Sequence, residues 1–125
     1  MRNLSLAKNF LNLSLLIMGS LVSSVGLAQS SGNYPNKPIT LVVTYPPGGG
    51  ADAMARLLAP KMGEALGQSV IVENKPGASG QIAAAAVAKS APDGYTMMLD
   101  ASSFAVNPSL YSKLPYDSLK AFKPI

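Results

Sequence analysis

"ITLVVTYPPGGGADAMARLL", residues 39–58, is the stretch whose reading decides the fold. Its first part, Ile39 to Tyr45, is nearly unbroken apolar sequence rich in β-branched residues. That is the composition of a strand covered on both faces in a parallel sheet. From Ala51 to Leu66 the apolar residues Met54, Leu57, Leu58, Met62, Ala65 and Leu66 recur at helical spacing, which predicts a helix over that range. Pro60 should kink this helix or end its regular part, since it removes one amide and crowds the preceding turn. Gly67 should close it. Two prolines and three consecutive glycines stand between strand and helix. Glycine serves where backbone turns sharply or approaches a ligand, so the residues by themselves leave a tight connector and a binding loop both open.

The downstream sequence repeats the alternation. Val70 to Glu73 reads as a second strand, and "NKPGASG", Asn74 to Gly80, as the loop after it. Gln81 to Ser90 has the alanine content of a short helix. "APDG", Ala91 to Gly94, is a turn, and "YTMMLDAS" supplies a third strand before Ser102 and Ser103 open the next loop. Strand, helix, strand, helix, strand predicts an α/β fold: right-handed crossovers and a parallel sheet with flanking helices. Ligands bind such sheets at the carboxyl ends of the strands. Pro46 to Gly50, Gly77 to Gly80, and Ser102 with Ser103 should therefore share one rim. Two of these loops lead into helix N-termini, where unpaired amides and the helix dipole favour an anion.

The nature of the anion follows by exclusion. Neither glycine cluster is followed by the Lys-Ser/Thr pair of a nucleotide phosphate loop, and Ala53 stands where a dinucleotide fingerprint wants its third glycine. "GASGQ", Gly77 to Gln81, looks like a nucleophile elbow, but Gln81 replaces the closing glycine. With no histidine in the chain, Ser79 has no ordinary base, and the commonest zinc ligand and general base are missing. No catalytic residue, metal or cofactor is expected; a carboxylate is the best guess. The basic residues after position 28 are scattered rather than striped, which argues against a nucleic-acid surface.

Residues 1–28 read as a signal peptide: Arg2 and Lys8 form a basic opening, Phe10 to Leu27 is apolar, and Gly26-Leu27-Ala28 offers a cleavage site after Ala28. A retained membrane anchor is the competing reading, weakened by the serines and Asn12 that interrupt a short run. Cleavage would lower the net charge from +4 to +2, because Arg2 and Lys8 leave with no acidic residue. The absence of cysteine implies an exported protein without disulfides.

Plainer roles compete for the candidate residues. Asp52 suits a helix start, and Arg56, four residues on, suits an ion pair with it. Ser79, Ser102 and Ser103 could be turn hydroxyls. Met54, Met62, Met97 and Met98 read as core filling, Tyr45 as a residue beside the pocket, and Asp117 as the cap of a short helix.

The ordered set "PPGGGAD", "VENKPGASG", "APDGYT" and "LPYD" resembles the Bug family, the substrate-binding receptors of tripartite tricarboxylate transporters. The likeness runs through "NPSLYSKLPYD", Asn107 to Asp117. It implies a periplasmic, non-enzymatic, monomeric receptor of the type II periplasmic-binding-protein fold. Such a receptor closes on a small carboxylate and passes it to membrane transporter subunits or a sensor protein. Carried over by motif, the ligand-binding positions are Pro47, Gly48, Gly49, Gly50 and Asp52 after Pro46, then Gly77, Ala78, Ser79 and Gly80, then Ser102 and Ser103. Asp100 departs from a frequent glycine, and Ala121 from a common acidic residue. Residues 29–125 would be only the first part of lobe 1, the N-terminal lobe of a two-lobed protein, which makes a truncated product the expectation. The alternatives are a small exported serine hydrolase or esterase using Ser79, and an inactive fragment.

Overall fold

The computed structural model describes residues 34–125. The expected signal peptide, its cleavage after Ala28 and the alternative membrane anchor lie outside the described residues. Among the described residues no helix is long and apolar enough to cross a membrane.

Among the described residues three strands and three α-helices alternate: β1 (Ile39–Val43), α1 (Gly50–Leu66), β2 (Val70–Asn74), α2 (Gln81–Ala88), β3 (Thr96–Leu99) and α3 (Ser103–Leu110). The strands are parallel in the order β2–β1–β3. Ile39 lies opposite Val70 on one side of β1, and Thr40 opposite Thr96 on the other. A strand paired on both edges needs both faces covered, and Ile39, Leu41, Val42 and Val43 are all buried. Leu41 and Val43 pack with Ala55 of α1. Side chains alternate along a strand, so Val42 points to the opposite face. The chain steps from β1 to β2 and then back across β1 to β3. Right-handed crossovers in opposite directions place α1 and α2 on opposite faces of the sheet.

The expected strand is two residues shorter than its sequence suggested. Thr44 and Tyr45 leave β1, although the Thr44 amide still donates to the Leu99 carbonyl at 3.2 Å. Pro46 cannot donate to a ladder and holds the residue before it in extended backbone, so pairing ends here.

Two expectations for α1 are corrected. Pro60 does not end it: the helix runs unbroken to Leu66. Pro60 lies on the solvent side, where water can take the carbonyl that its missing amide leaves unbonded. Nor do the large apolar residues face the sheet. The buried stripe is Asp52, Ala55 and Ala59, while Met54 and Leu57 are 53% and 67% exposed. Small side chains at that spacing let the helix lie close on β1, which turns the bulkier residues outward. Met54 is therefore not core filling, whereas Met97 is half-buried against the Leu41–Val43–Ala55 cluster. Gly67 closes α1 in the left-handed conformation, φ 69°, as its position suggested.

The flanking segments are anchored by contacts the sequence did not disclose. Tyr34 donates to the Gly94 carbonyl at 2.8 Å, and the Tyr95 hydroxyl joins Asn36 as both donor and acceptor. At the other end Phe104, Tyr116 and Phe122 form an aromatic cluster with centroids 4.9–5.8 Å apart. Asp117 caps the amides of Leu119 and Lys120, but the segment is a turn rather than the expected helix.

Ala55 has no exposed surface, so Ala55→Leu has no room without lifting α1 from β1. The expected loss is about 1–3 kcal/mol of stability, read as a lower midpoint in urea unfolding; an unchanged midpoint would contradict the close helix–sheet contact.

Candidate functional site

The loop after β1 is built around Asp52. Its Oδ2 accepts the Gly48 amide at 2.9 Å, both oxygens accept Arg56 Nε at 3.0 Å, and Oδ1 accepts Asn74 Nδ2 at 3.0 Å. Asn74 also donates to the Tyr45 carbonyl at 3.1 Å. One carboxylate thus ties the glycine loop to the first turn of α1 and to the end of the neighbouring strand. The Arg56 hydrogen bond, followed by the Gly48 amide and then Asn74, holds the Asp52 carboxyl well below its ordinary 3.8, at about 2. Arg56 is engaged by Asp52, as its spacing suggested. The N-terminus of α1 has no side-chain cap, so its first amides keep their donor capacity toward the rim.

The loop after β2 adopts an uncommon backbone. Gly77, Ala78, Ser79 and Gly80 all have positive φ, at 125°, 47°, 52° and 79°. The turn closes by the Gly80 amide donating to the Gly77 carbonyl at 3.0 Å. Non-glycine residues in this region are strained and persist only where surroundings enforce them. The enforcement comes from α3: Asn107, buried at 2% exposure, donates to the Ser79 carbonyl at 2.8 Å and lies 3.4 Å from the Tyr116 hydroxyl. Asn107 was not singled out from the sequence. An asparagine within "NPSLY" carries no signal of a partner 28 residues away.

After β3, Asp100 gathers the third loop. Its oxygens accept Thr44 Oγ1 at 2.6 Å, Ser103 Oγ at 2.7 and 3.0 Å and the Phe104 amide at 3.0 Å. Gly80 packs into this group: a β-carbon there would lie 3.0 Å from Ser103 Oγ and 3.1 Å from Asp100 Oδ2.

The three loops meet in a cleft of about 340 Å³ lined by Thr44, Tyr45, Pro46, Pro76, Gly77, Ser79, Gly80 and Ser103. Of the expected ligand-binding residues, Gly77, Ser79, Gly80 and Ser103 line it, and Tyr45 stands beside it as read. Pro47, Gly48, Gly49, Gly50, Asp52, Ala78 and Ser102 do not form its wall. Gly48 and Asp52 bond to each other, and Asp52 is buried. Among the described residues the Ser79 hydroxyl has the Tyr111 hydroxyl as its hydrogen-bond neighbour, at 3.3 Å. A larger hollow of about 700 Å³ runs between α1 and β2 and contains none of the loop residues. Among the described residues there is no cluster of metal ligands.

Comparison with known proteins gives a consistent result. The model of the family described as the tripartite tricarboxylate transporter family receptor matches residues 54–125. Three solved structures are similar. The periplasmic binding protein BugD is 43% identical with a TM-score of 0.71, over 74% of this chain and 31% of its own. MatC from Rhodopseudomonas palustris, with bound malate, is 38% identical with a TM-score of 0.68, over 73% of this chain and 31% of its own. Rpa4515 of R. palustris, with adipate, is 39% identical with a TM-score of 0.65, over 69% and 29%. The α/β, periplasmic-binding-protein fold expected from the sequence is thereby shown. The chain spans about a third of the length of the curated relatives it matches.

The depressed Asp52 carboxyl carries a pH signature. Its folded value of about 2 lies below the ordinary 3.8, so its contribution is complete above the higher value and is lost as pH falls through the lower. Urea midpoints should decline between about pH 4 and pH 2, and Asp52→Asn should flatten that decline while lowering stability at neutral pH. A decline of unchanged steepness in the variant would refute the brace.

Proposed function

We propose, because this chain belongs to the tripartite tricarboxylate transporter receptor family, that its cleft is part of the ligand site of a periplasmic carboxylate receptor. The observation that carries the proposal is the meeting of three loops from three parallel strands around one hollow. The malate and adipate held by two similar proteins support a small carboxylate as the ligand class.

The chemistry required is recognition without reaction. Amides of the second loop donate to the carboxylate, and the uncapped first turn of α1 adds its positive dipole end to the rim. Glycine at Gly77 and Gly80 removes side chains that would block the approach, while Gly48, Gly49 and Gly50 let the first loop turn into α1. Ser79 adds a hydroxyl and Ser103 an acceptor oxygen, with Pro47, Ala78 and Ser102 shaping the loops that carry them. Asp52 acts through Gly48, as the brace that fixes the first loop. The receptor exists as a monomer, releases its ligand unchanged to membrane transporter subunits and works without a cofactor.

Isothermal titration of the full-length protein with malate, succinate, adipate and citrate tests this reading; at least one should give saturable heat. Silence with every one of them would remove the carboxylate assignment. Gly77 has φ 125° and ψ 154°, backbone that is essentially restricted to glycine, and a β-carbon there would meet Ile82 at 2.7 Å. Gly77→Ala should therefore weaken binding by about tenfold or more.

A further inference from the structure

The hydroxyls around Asp100 have a fixed direction. A serine or threonine hydroxyl has one proton to give and two lone pairs to offer. Thr44 and Ser103 both donate that proton to Asp100, at 2.6 and 2.7 Å, and bonds from a hydroxyl to a carboxylate are the short, strong kind. Ser103 Oγ is also the oxygen toward which the Tyr45 hydroxyl points, at 3.4 Å. The side of the cleft formed by Thr44 and Ser103 therefore presents acceptors backed by a carboxylate. Gly80 lacks a side chain that could screen this group, since a β-carbon there would touch both Ser103 Oγ and Asp100 Oδ2. The second-loop side of the same cleft, Gly77 to Gly80, presents backbone instead.

We propose that the Thr44–Asp100–Ser103 group makes this site selective for carboxylates that carry a hydrogen-bond donor, a hydroxyl or an ammonium, beside the carboxylate. The inference rests on the carboxylate-receptor reading and sharpens it. The donor lies against Ser103 Oγ while the carboxylate lies on the second loop. A second carboxylate oxygen at Ser103 would face lone pairs with no proton between them and would be repelled by Asp100. Setting a carboxylate oxygen rather than a donor against the half-buried Ser103 acceptor costs enough to set a preference of about tenfold or more. Asp100 is a specificity residue acting through two hydroxyls. Asp100→Asn keeps its shape but replaces one acceptor by a donating amide, which frees a hydroxyl proton to turn into the cleft.

The test compares succinate, malate and aspartate, and glutarate, 2-hydroxyglutarate and glutamate, by isothermal titration of the full-length protein. Within a set the members share a carbon skeleton and differ by hydrogen, hydroxyl or ammonium at the α-carbon. In at least one set the donor-bearing acids should bind about tenfold tighter or more than the plain one, and Asp100→Asn should bring the ratio near one. Ser103→Ala, which leaves Asp100 its Thr44 and Phe104 donors, should do the same and serves if the Asp100 variant fails to fold by circular dichroism. Plain acids that match the substituted ones in the native protein, or a ratio that survives both substitutions, would overturn the selectivity and leave the receptor reading standing. No binding of any of the six would overturn the selectivity, and silence with adipate and citrate as well would remove the receptor reading.

Discussion

Parallel pairing on both edges of β1 is the constraint from which the rest follows. A parallel neighbour must enter from the same end, so every return path is a crossover and every outgoing loop leaves at one rim. The order β2–β1–β3 sends successive crossovers in opposite directions from β1. That opens a crevice above the β1–β3 boundary, the usual place for a ligand in an open α/β sheet. Thr44 sits there: its amide still reaches Leu99 of β3 and its hydroxyl reaches Asp100. The edge strand contributes by reaching inward, with Gly80 packed on Thr44, Asp100 and Ser103.

The rim is held by two carboxylates with different tasks. Asp52 faces the first loop and the end of β2, and its partners are a main-chain amide, a guanidinium and a side-chain amide. Asp100 faces the third loop, and its partners are two hydroxyls and a main-chain amide. Each replaces by side-chain bonds the rigidity that a glycine-rich or irregular loop lacks. The left-handed second loop has no carboxylate of its own and relies on the Asn107 amide.

The sheet was legible because its signals are local: β-branched runs, a helical repeat of fitting length, and turn residues between them. The parallel order and shared rim followed from chain topology alone. The facing of α1 was not legible in the same way. Both Met54–Leu57–Leu58 and Ala55–Ala59 recur at helical spacing, and hydrophobicity favours the former although the contact distance favours the latter. The site was half legible for a related reason. Glycines announce permissive backbone, but only the coordinates show that Gly48 is turned toward Asp52 while Gly77 and Gly80 line the hollow. Asn107 and the hydroxyl network of Asp100 depend on contacts 28 and 56 residues apart. No local pattern encodes them, although the Arg56–Asp52 pair, four residues apart on one helix, could be read directly.

On the proposed carboxylate-receptor reading, recognition of an anion without a cation has a structural reason. Among the described residues Arg56 is the one arginine, the side chain suited to a bidentate clamp, yet its Nε is held by both Asp52 oxygens and its Nη2 lies 3.3 Å from Asn74 Oδ1. Freeing it for a ligand would strip the brace from Gly48. On that reading the carboxylate is met by dipoles, chiefly amides at helix and turn starts. Dipoles fixed before binding need little reorganisation, and they spare the site the desolvation of a buried cation, which can exceed the Coulombic gain. Discrimination in such a site comes from the sense of each hydrogen bond, donor or acceptor, and in this cleft Asp100 sets that sense for two of the hydroxyls.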